Sequence, residues 1–202
     1  MKGKHILLGC ALAALSANAM AADKTGRGYV GAGYTMLDVS PEVGSSYDLS
    51  ALGVRGGYYF NKYFSVEGRL AFGVGDDTQH LGTVIDPVLG PVSVDETVEL
   101  DYSIGVYAVG HIPLTEQFQL YGLVGFTQHE ITVKDCGTAL GTTLCFSEGY
   151  DDSDLSFGVG AEFDMTNNLS LGVEYVSYFS DGEVNGAKYD SDGLGITLNY
   201  LF

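Results

Sequence analysis

Basic residues, cysteine, proline and tryptophan are all scarce in this chain. Lys and Arg number 9 against 26 Asp and Glu, the net charge is −17, and there is no Trp. So acidic a chain lacks the basic footprint that nucleic-acid binding requires. No apolar run reaches the roughly 18 residues that a membrane-spanning helix needs, which excludes a helical membrane protein. Glycine is abundant instead, 29 of 202 residues, and an apolar fraction of 46% argues against disorder.

The first 21 residues have the pattern of an export signal. Lys2 and Lys4 precede the short apolar core ILLGCALAAL. Ala19 and Ala21 then supply the small-residue pair that precedes a cleavage site at about Ala22. We therefore expect residues 1–21 to be a cleaved signal peptide and residues 22–202 to form the mature domain.

One of the three cysteines lies in the predicted signal peptide and two lie in the mature domain. Cys10 lies inside the apolar core, and LLGC resembles a lipoprotein cleavage site, but the core continues for five residues beyond Cys10. Cys136 and Cys145 remain after export, and an even pair in an exported chain predicts a disulfide. Free thiols are the alternative; a metal site is disfavoured because there are only two sulfurs and no adjacent His.

Apolar and polar residues alternate with period two through most of the mature chain. In 64–74, for example, the even positions carry Phe, Val, Leu, Phe and Val at all but one place, while the odd positions are polar or small. Such alternation is typical of strands with one apolar face. The eight segments that show it are 28–39, 50–60, 64–74, 97–112, 118–133, 154–165, 169–179 and 193–202.

The connections between these segments alternate in length. Three are short, at 61–63, 115–117 and 166–168. The other four are long, at 40–49, 75–96, 134–153 and 180–192. Short turns at one end and long loops at the other predict an all-β fold, an eight-stranded antiparallel up-and-down transmembrane β-barrel, rather than a Greek-key sandwich.

Aromatic residues on the apolar parity form two levels, with Leu, Val, Ala and Gly between them. Phe64 and Phe72 mark the two levels on one strand. Their separation of eight residues corresponds to about 26 Å along the strand. A strand tilt of about 40° leaves roughly 20 Å of height, close to the apolar band expected between two aromatic girdles.

The closing sequence GLGITLNYLF places apolar side chains on one face up to the last residue. These residues are Leu194, Ile196, Leu198, Tyr200 and Phe202. The pattern resembles the C-terminal signal by which the outer-membrane assembly machinery recognises its barrels.

Together with GYVGAGYT, GYYFNKYFSVEGRLAFGVG and DLSFGVGAEFDMTNNLSLGVEYVSYF, this ending resembles the small outer-membrane β-barrel family of OmpA-type transmembrane domains, OmpX and opacity-type surface proteins. The resemblance covers about 27–202. It implies an integral protein of the cell outer membrane, with both termini periplasmic, long loops extracellular and no cofactor. It also implies contact with outer-membrane lipid and lipopolysaccharide and a monomeric barrel. It does not imply one function, because family members range from adhesins to structural anchors. In contrast to OmpA, we expect no periplasmic domain after the barrel.

The polar parity of the strands predicts an ion network in the lumen. The charged residues on this parity are Arg55, Glu67, Arg69, Glu99, Asp101, Glu162 and Glu174. Symmetry about the turn at Lys62 places Arg55 opposite Arg69, where like charges repel and need carboxylate partners. The geometry of an eight-strand ring predicts the pairs Arg69–Glu174 and Arg55–Glu162. A polar plug is the favoured interpretation, and a gate or proton path is the alternative.

Most of the negative charge lies in the four long connections, which hold 15 acidic and 2 basic residues. Divalent cations bridging these carboxylates to anionic lipopolysaccharide are one hypothesis, since hard oxygen ligands suit Ca²⁺ or Mg²⁺. YDDSD at 150–154 and DSDG at 190–193 resemble part of a calcium-binding loop, but neither continues to the Glu that an EF-hand requires. A solvated acidic surface is therefore favoured over a specific metal site.

The sequence does not predict an enzyme. A barrel that modifies lipid A needs a His with a Ser or carboxylate at the outer rim. His80 and His129 lie near that rim but in no recognisable His–Ser motif, and His111 lies at the opposite end. Two functions remain: a structural or surface-interaction protein acting in adhesion or envelope integrity, or porin-like or lateral passage of small molecules.

Overall fold

The structure, a computed structural model, describes residues 23–41, 46–184 and 187–202; the side chains of residues 41, 179–184 and 187–188 are outside that description. The predicted signal peptide at 1–21, with Cys10, therefore lies outside the described residues, as does Glu42. The eight strands are β1 (Gly28–Pro41), β2 (Tyr47–Asn61), β3 (Phe64–Asp86), β4 (Gly90–Pro113), β5 (Phe118–Ala139), β6 (Thr142–Asp164), β7 (Leu169–Val184) and β8 (Ala187–Leu201).

These strands form a closed barrel in which each pairs antiparallel with the next and β8 pairs with β1. The backbone N–H of Phe202 donates to the carbonyl of Gly28 at 2.9 Å, so the end of the chain completes the ring. The predicted eight-stranded up-and-down barrel is confirmed. In the described part of the chain, no helix is long and apolar enough to cross a membrane.

The outer face of the barrel is an apolar belt. Val54 and Val106 are 59% and 67% exposed, although both lie in the middle of paired strands. At the short-turn end, the rings of Phe60 and Phe64 stack with centroids 5.8 Å apart. A closed ladder leaves no unpaired backbone group along this belt, so its surroundings can be hydrocarbon.

Three of the predicted long connections are continuations of strands, and in the one at 180–192 β7 and β8 stay paired up to Val184 and Ala187. β3 and β4 stay paired up to Asp86 and Gly90, and β5 and β6 up to Ala139 and Thr142. The expected loops at 75–96 and 134–153 are thus β-hairpins with tight turns at 87–89 and 140–141. A continued ladder satisfies backbone donors and acceptors that a structureless loop of that length would leave to water.

The barrel mouth is taller on one side. Pairing of β2 with β3 ends at Ser50 and Gly75, and pairing of β6 with β7 ends at Phe157 and Ser177. Strands β3 to β6 continue past these points as a four-stranded sheet, here termed the upper sheet (residues 76–99 and 131–156).

Register shifts at the base of the upper sheet reverse the alternation. They lie between Phe72 and Asp76 in β3 and between Leu100 and Tyr102 in β4. Glu99 and Asp101 were predicted to face the lumen, and this is wrong. Both are exposed on the outer face, and Asp101 accepts a hydrogen bond from the Thr132 hydroxyl at 2.7 Å. A bulge inserts one extra residue and so turns the residues beyond it to the opposite face.

Candidate functional site

Glu174 on β7 lies at the centre of an ion network that crosses the lumen. Its Oε1 is 2.7 Å from Nη2 of Arg55 on β2 and 2.7 Å from Nη1 of Arg69 on β3. Arg55 and Arg69 are direct cross-strand partners, as the turn symmetry predicts. The carboxylate of Glu174, 3% exposed, thus offsets the repulsion between two adjacent guanidinium groups.

Glu67 supplies the second carboxylate of this network. Its Oε1 accepts from Nε of Arg69 at 2.5 Å and lies 3.5 Å from Nη1 of Arg55. The hydroxyl of Tyr29 donates to its other oxygen at 2.5 Å, and Tyr121 donates to Glu174 at 2.9 Å. Two arginines and two glutamates therefore cancel in charge, with tyrosine hydroxyls completing the carboxylate hydrogen bonds, as a desolvated ion cluster requires.

A second cluster lies at the short-turn end of the lumen around Glu162. Lys24 Nζ lies 2.7 Å from Glu162 Oε1 and 2.8 Å from Asp164 Oδ1. Gln119 and Asn199 also donate to Glu162, at 2.8 and 2.9 Å. The predicted Arg55–Glu162 pair does not form, because Arg55 is held by Glu174 and Lys24 occupies the position facing Glu162. Sequence reasoning missed Lys24, which precedes β1 and belongs to no alternating segment.

Tyrosine rings extend into the lumen over glycines on the neighbouring strand, where Tyr29 pairs with Gly57 and Tyr121 with Gly160. A Cβ placed on either glycine would overlap the ring of its partner. Both rings belong to tyrosines that donate to the central carboxylates. The inward glycines are thus sites of close approach between ring and backbone.

Above the ion network the lumen becomes apolar. Leu37, Leu49 and Leu100 face inward and are 5%, 2% and 5% exposed. They line a cavity at the mouth together with Ile131 and Tyr189. The hydroxyl of Tyr189 donates to Asp152 at 3.0 Å, so the first acidic motif singled out in the sequence is tied to the wall of this mouth.

Carboxylates gather on the inner face of the upper sheet. The Tyr47 hydroxyl donates a hydrogen bond to Glu96. Burial, this hydrogen bond and the negative charges of Glu96, Asp77 and Asp135 raise the pKa of Tyr47 above its usual value. Within residues 23–41, 46–184 and 187–202, no three His, Cys, Asp or Glu side chains lie close enough together to hold a metal ion.

The three histidines in the described part of the chain, His80, His111 and His129, lie apart from one another and do not form an accessible cluster. His80 Nδ1 lies 2.8 Å from Asp95 Oδ1 on the exposed outer side of the upper sheet. His129 is buried with its ring edge-on to Tyr178. His111 Nε2 lies 2.8 Å from the Ser65 hydroxyl, but Ser65 is 0% exposed, so a substrate has no path to it.

Cys136 and Cys145 form a disulfide, as their even pairing predicts. They are direct cross-strand partners on β5 and β6. Four residues above them, Leu140 and Gly141 take positive φ angles of 50° and 76°, as in a two-residue hairpin turn. The bond therefore joins two strands that are already in register.

Residues 7–202 match the family model described as outer membrane protein beta-barrel domain. Ail, the attachment invasion locus protein of Yersinia pestis, has a similar crystal structure, with a TM-score of 0.55 and 19% identity over 88% of this chain and 99% of that chain. Neisserial surface protein A is also similar, with a TM-score of 0.52 and 19% identity over 86% of this chain and 96% of that chain. These identities show a shared fold. A search of curated proteins finds no match.

The closed ladder, the exposed apolar belt and the polar lumen are the features that let a β-sheet span a bilayer. The family model covers nearly all of the chain that forms them. This chain therefore belongs to the outer membrane protein β-barrel family and is an integral protein of the outer membrane.

Proposed function

We propose that this protein is a non-conducting surface-interaction protein that acts in adhesion or envelope integrity, and that it has no catalytic role. The barrel anchors it, a polar plug closes the lumen, and the upper sheet with its acidic surface contacts other molecules. The observation that carries the proposal is the ion network, in which Glu174 bonds to Arg55 and Arg69 from across the ring.

Two further observations support a closed wall and lumen. The Lys24–Glu162 cluster obstructs the short-turn end, below the central network. The β6–β7 ladder remains paired from Phe157 to Asp164, which covers the height of the apolar belt. Side chains thus oppose axial passage and the continuous ladder opposes lateral passage, the two routes of the porin-like alternative.

The proposed orientation has both termini and the short turns in the periplasm and the upper sheet outside the cell. In this orientation, the outward row Leu194, Ile196, Leu198, Tyr200 and Phe202 serves as the signal read by the assembly machinery. Carboxylates above the belt face lipopolysaccharide, with divalent cations as bridges between the two anionic surfaces. The monomeric barrel is proposed as the working form.

Planar-bilayer recording of the refolded protein tests the plug. We expect no steady conductance, and steady openings on the scale of nanosiemens would overturn the proposal in favour of a porin-like channel. A lumen variant, Arg69→Ser with Glu174→Ser, serves as the comparison because it removes the crossing contacts. Heat-modifiable migration on gels verifies that each sample is a folded barrel.

Shortening a hairpin tests the surface role. Thr78 and Thr97 are cross-strand partners, so an Asn-Gly turn in place of residues 79–96 closes β3 and β4 below the tip. We expect the shortened protein to insert, while cells that carry it lose adhesion or cation-dependent envelope integrity. Adhesion and envelope integrity that both stay unchanged would contradict the proposal.

A further inference from the structure

We propose that the inner face of the upper sheet binds a cationic, amphipathic polypeptide segment of a partner at the cell surface. This inference rests on the proposed surface-interaction function and names the class of partner. It follows from which residues share this face, how far they are exposed, and the charge they carry.

Residues of β4, β5 and β6 line up on the inner face in rows. The lowest row is Leu100, Ile131 and Tyr150, followed by Val98, Val133 and Glu148, then Glu96, Asp135 and Phe146, then Val94, Gly137 and Leu144. Carboxylates therefore occupy the two middle rows, with apolar residues above and below them.

The upper part of this face has apolar side chains that nothing in the described chain covers. Val98 and Leu100 are 5% exposed at the bottom of the face, whereas Leu144 and Phe146 are 66% and 76% exposed near its top. Val84 on β3, on the same side of the sheet, is 61% exposed. The same face is thus buried where the barrel encloses it and bare where the sheet rises above its neighbours, a pattern typical of an interaction surface.

The negative charge of the inner face favours a cationic partner. Asp77, Glu96, Asp135 and Glu148 lie on the inner side, since they share rows with inward-facing residues. Lys134 is the only Lys or Arg between residues 76 and 156, and it lies on the outer side, opposite Thr97 and Ser147. An uncompensated acidic face with apolar margins is complementary to a segment with basic residues and apolar flanks.

The same charge disfavours other occupants. A second copy of this chain carries −17 as well, so two such faces repel each other. An acyl chain would match the apolar rows but would leave the carboxylate rows without a partner. An extended peptide presents every second side chain to one face at about 6.6 Å spacing, which matches the row spacing of the sheet.

Fluorescence anisotropy on the folded, full-length mature protein in phosphatidylcholine nanodiscs tests the inference. The probe is a labelled ten-residue peptide of alternating lysine and leucine; the comparison is the same peptide with glutamate for lysine. Empty nanodiscs report binding to lipid alone. We expect saturable binding of the lysine peptide beyond that background, weakened by salt, and none of the glutamate peptide.

Two matched double variants locate the site. Asp135→Asn with Glu148→Gln removes two carboxylates from the inner face, and we expect binding to weaken about tenfold. Glu130→Gln with Asp151→Asn removes two carboxylates that are cross-strand partners on the outer face, and we expect less than about a twofold change. Leu144→Ser with Phe146→Ser removes exposed apolar contacts and is expected to weaken binding by at least about tenfold.

Equal effects of the inner-face and outer-face variants would overturn the inference, as would equal binding of the two peptides. Displacement of the peptide by millimolar Ca²⁺, but not by NaCl of equal ionic strength, would assign the carboxylates to a metal ion instead. Dimerisation that the apolar double variant abolishes would assign the face to a second copy. None of these results alters the conductance or adhesion tests, so the inference can fail while the proposed function stands.

Discussion

Glu174 accepts from three side chains on three other strands, so the consequences of changing it are larger than for any surface carboxylate. We expect Glu174→Gln to lower the free energy of unfolding by about 3–5 kcal/mol, because it leaves two buried guanidinium groups with one remaining carboxylate. Denaturant titration followed by heat-modifiable electrophoresis measures the change.

Glu130→Gln is the matched control for this substitution, since Glu130 is on the outer face above the belt. We expect Glu130→Gln to change the free energy of unfolding by no more than about 0.5 kcal/mol. Equal stability of the two variants would show that the lumen network contributes nothing beyond an exposed charge.

Gly160 faces the lumen and Gly68 faces outward, so the two offer a comparison for testing close packing in the lumen. A Cβ on Gly160 meets the Tyr121 ring, whereas a Cβ on Gly68 meets nothing within 4 Å. We expect Gly160→Ala to destabilise the barrel by about 1–3 kcal/mol through overpacking, and Gly68→Ala to be near neutral. The same titration measures both, and a stable Gly160→Ala barrel would show that the Tyr121 ring can move aside.

Individual contacts were predictable where they follow from register alone. The Arg55–Arg69 adjacency comes from the turn at Lys62, and the facing strands place Glu174 near Arg69. Lys24 was not predictable, because nothing in its local sequence directs it into the lumen. The predicted Arg55–Glu162 pair was wrong for the same reason, because the cationic partner of Glu162 is Lys24, which lies outside the strands.

At the scale of elements, alternation located the membrane part of every strand but not the length of β3 to β6. The upper sheet has polar residues on both faces, and the register shifts near Phe72 and Leu100 break the period-two pattern at its base. A bulge shifts the alternation by one residue, so in the sequence it looks like the end of a strand. The hairpins therefore resembled loops in the sequence.

The β5–β6 hairpin gives the disulfide a local role. The two strands pair without a register shift from Phe118 and Phe163 to Ala139 and Thr142, on both sides of the bond, so we expect its loss to leave the ladder intact. We expect Cys136→Ser with Cys145→Ser to assemble a heat-modifiable barrel that is cleaved more readily between Lys134 and Tyr150. Limited proteolysis of intact cells measures this and reports whether the hairpin is outside the cell.

The pairing of the thiols is checked separately by intact mass after alkylation. Two alkylatable thiols in the exported wild type without reductant would contradict the disulfide. A double variant that fails to assemble would show that the bond acts on the whole barrel and not on the hairpin alone.

For the whole molecule, two different surroundings explain why so much of the fold was predictable. Each strand faces hydrocarbon on one side and a polar lumen on the other. Apolar residues such as Val54 therefore alternate with polar residues such as Arg55 near the middle of the belt. The proposed function was less predictable, because it rests on the upper sheet, which rises above the belt and has a weaker sequence pattern. Which residues share the inner face of the upper sheet follows only from the strand register in the structure.

The paired strands that run from the lumen to the hairpin tips also limit how this protein can change in length. Removing one residue from each strand of a hairpin keeps the ladder paired but turns every side chain above the deletion to the opposite face. In the β5–β6 hairpin, Asp135 would then face outward and the Cys136–Cys145 bond would face the mouth. In the β3–β4 hairpin, Glu96 would face outward and Asp95 would face the mouth. Deletions of two residues per strand shorten the sheet while preserving its faces. Descendants of this sequence that keep the inner surface should therefore differ in hairpin length by multiples of two residues per strand.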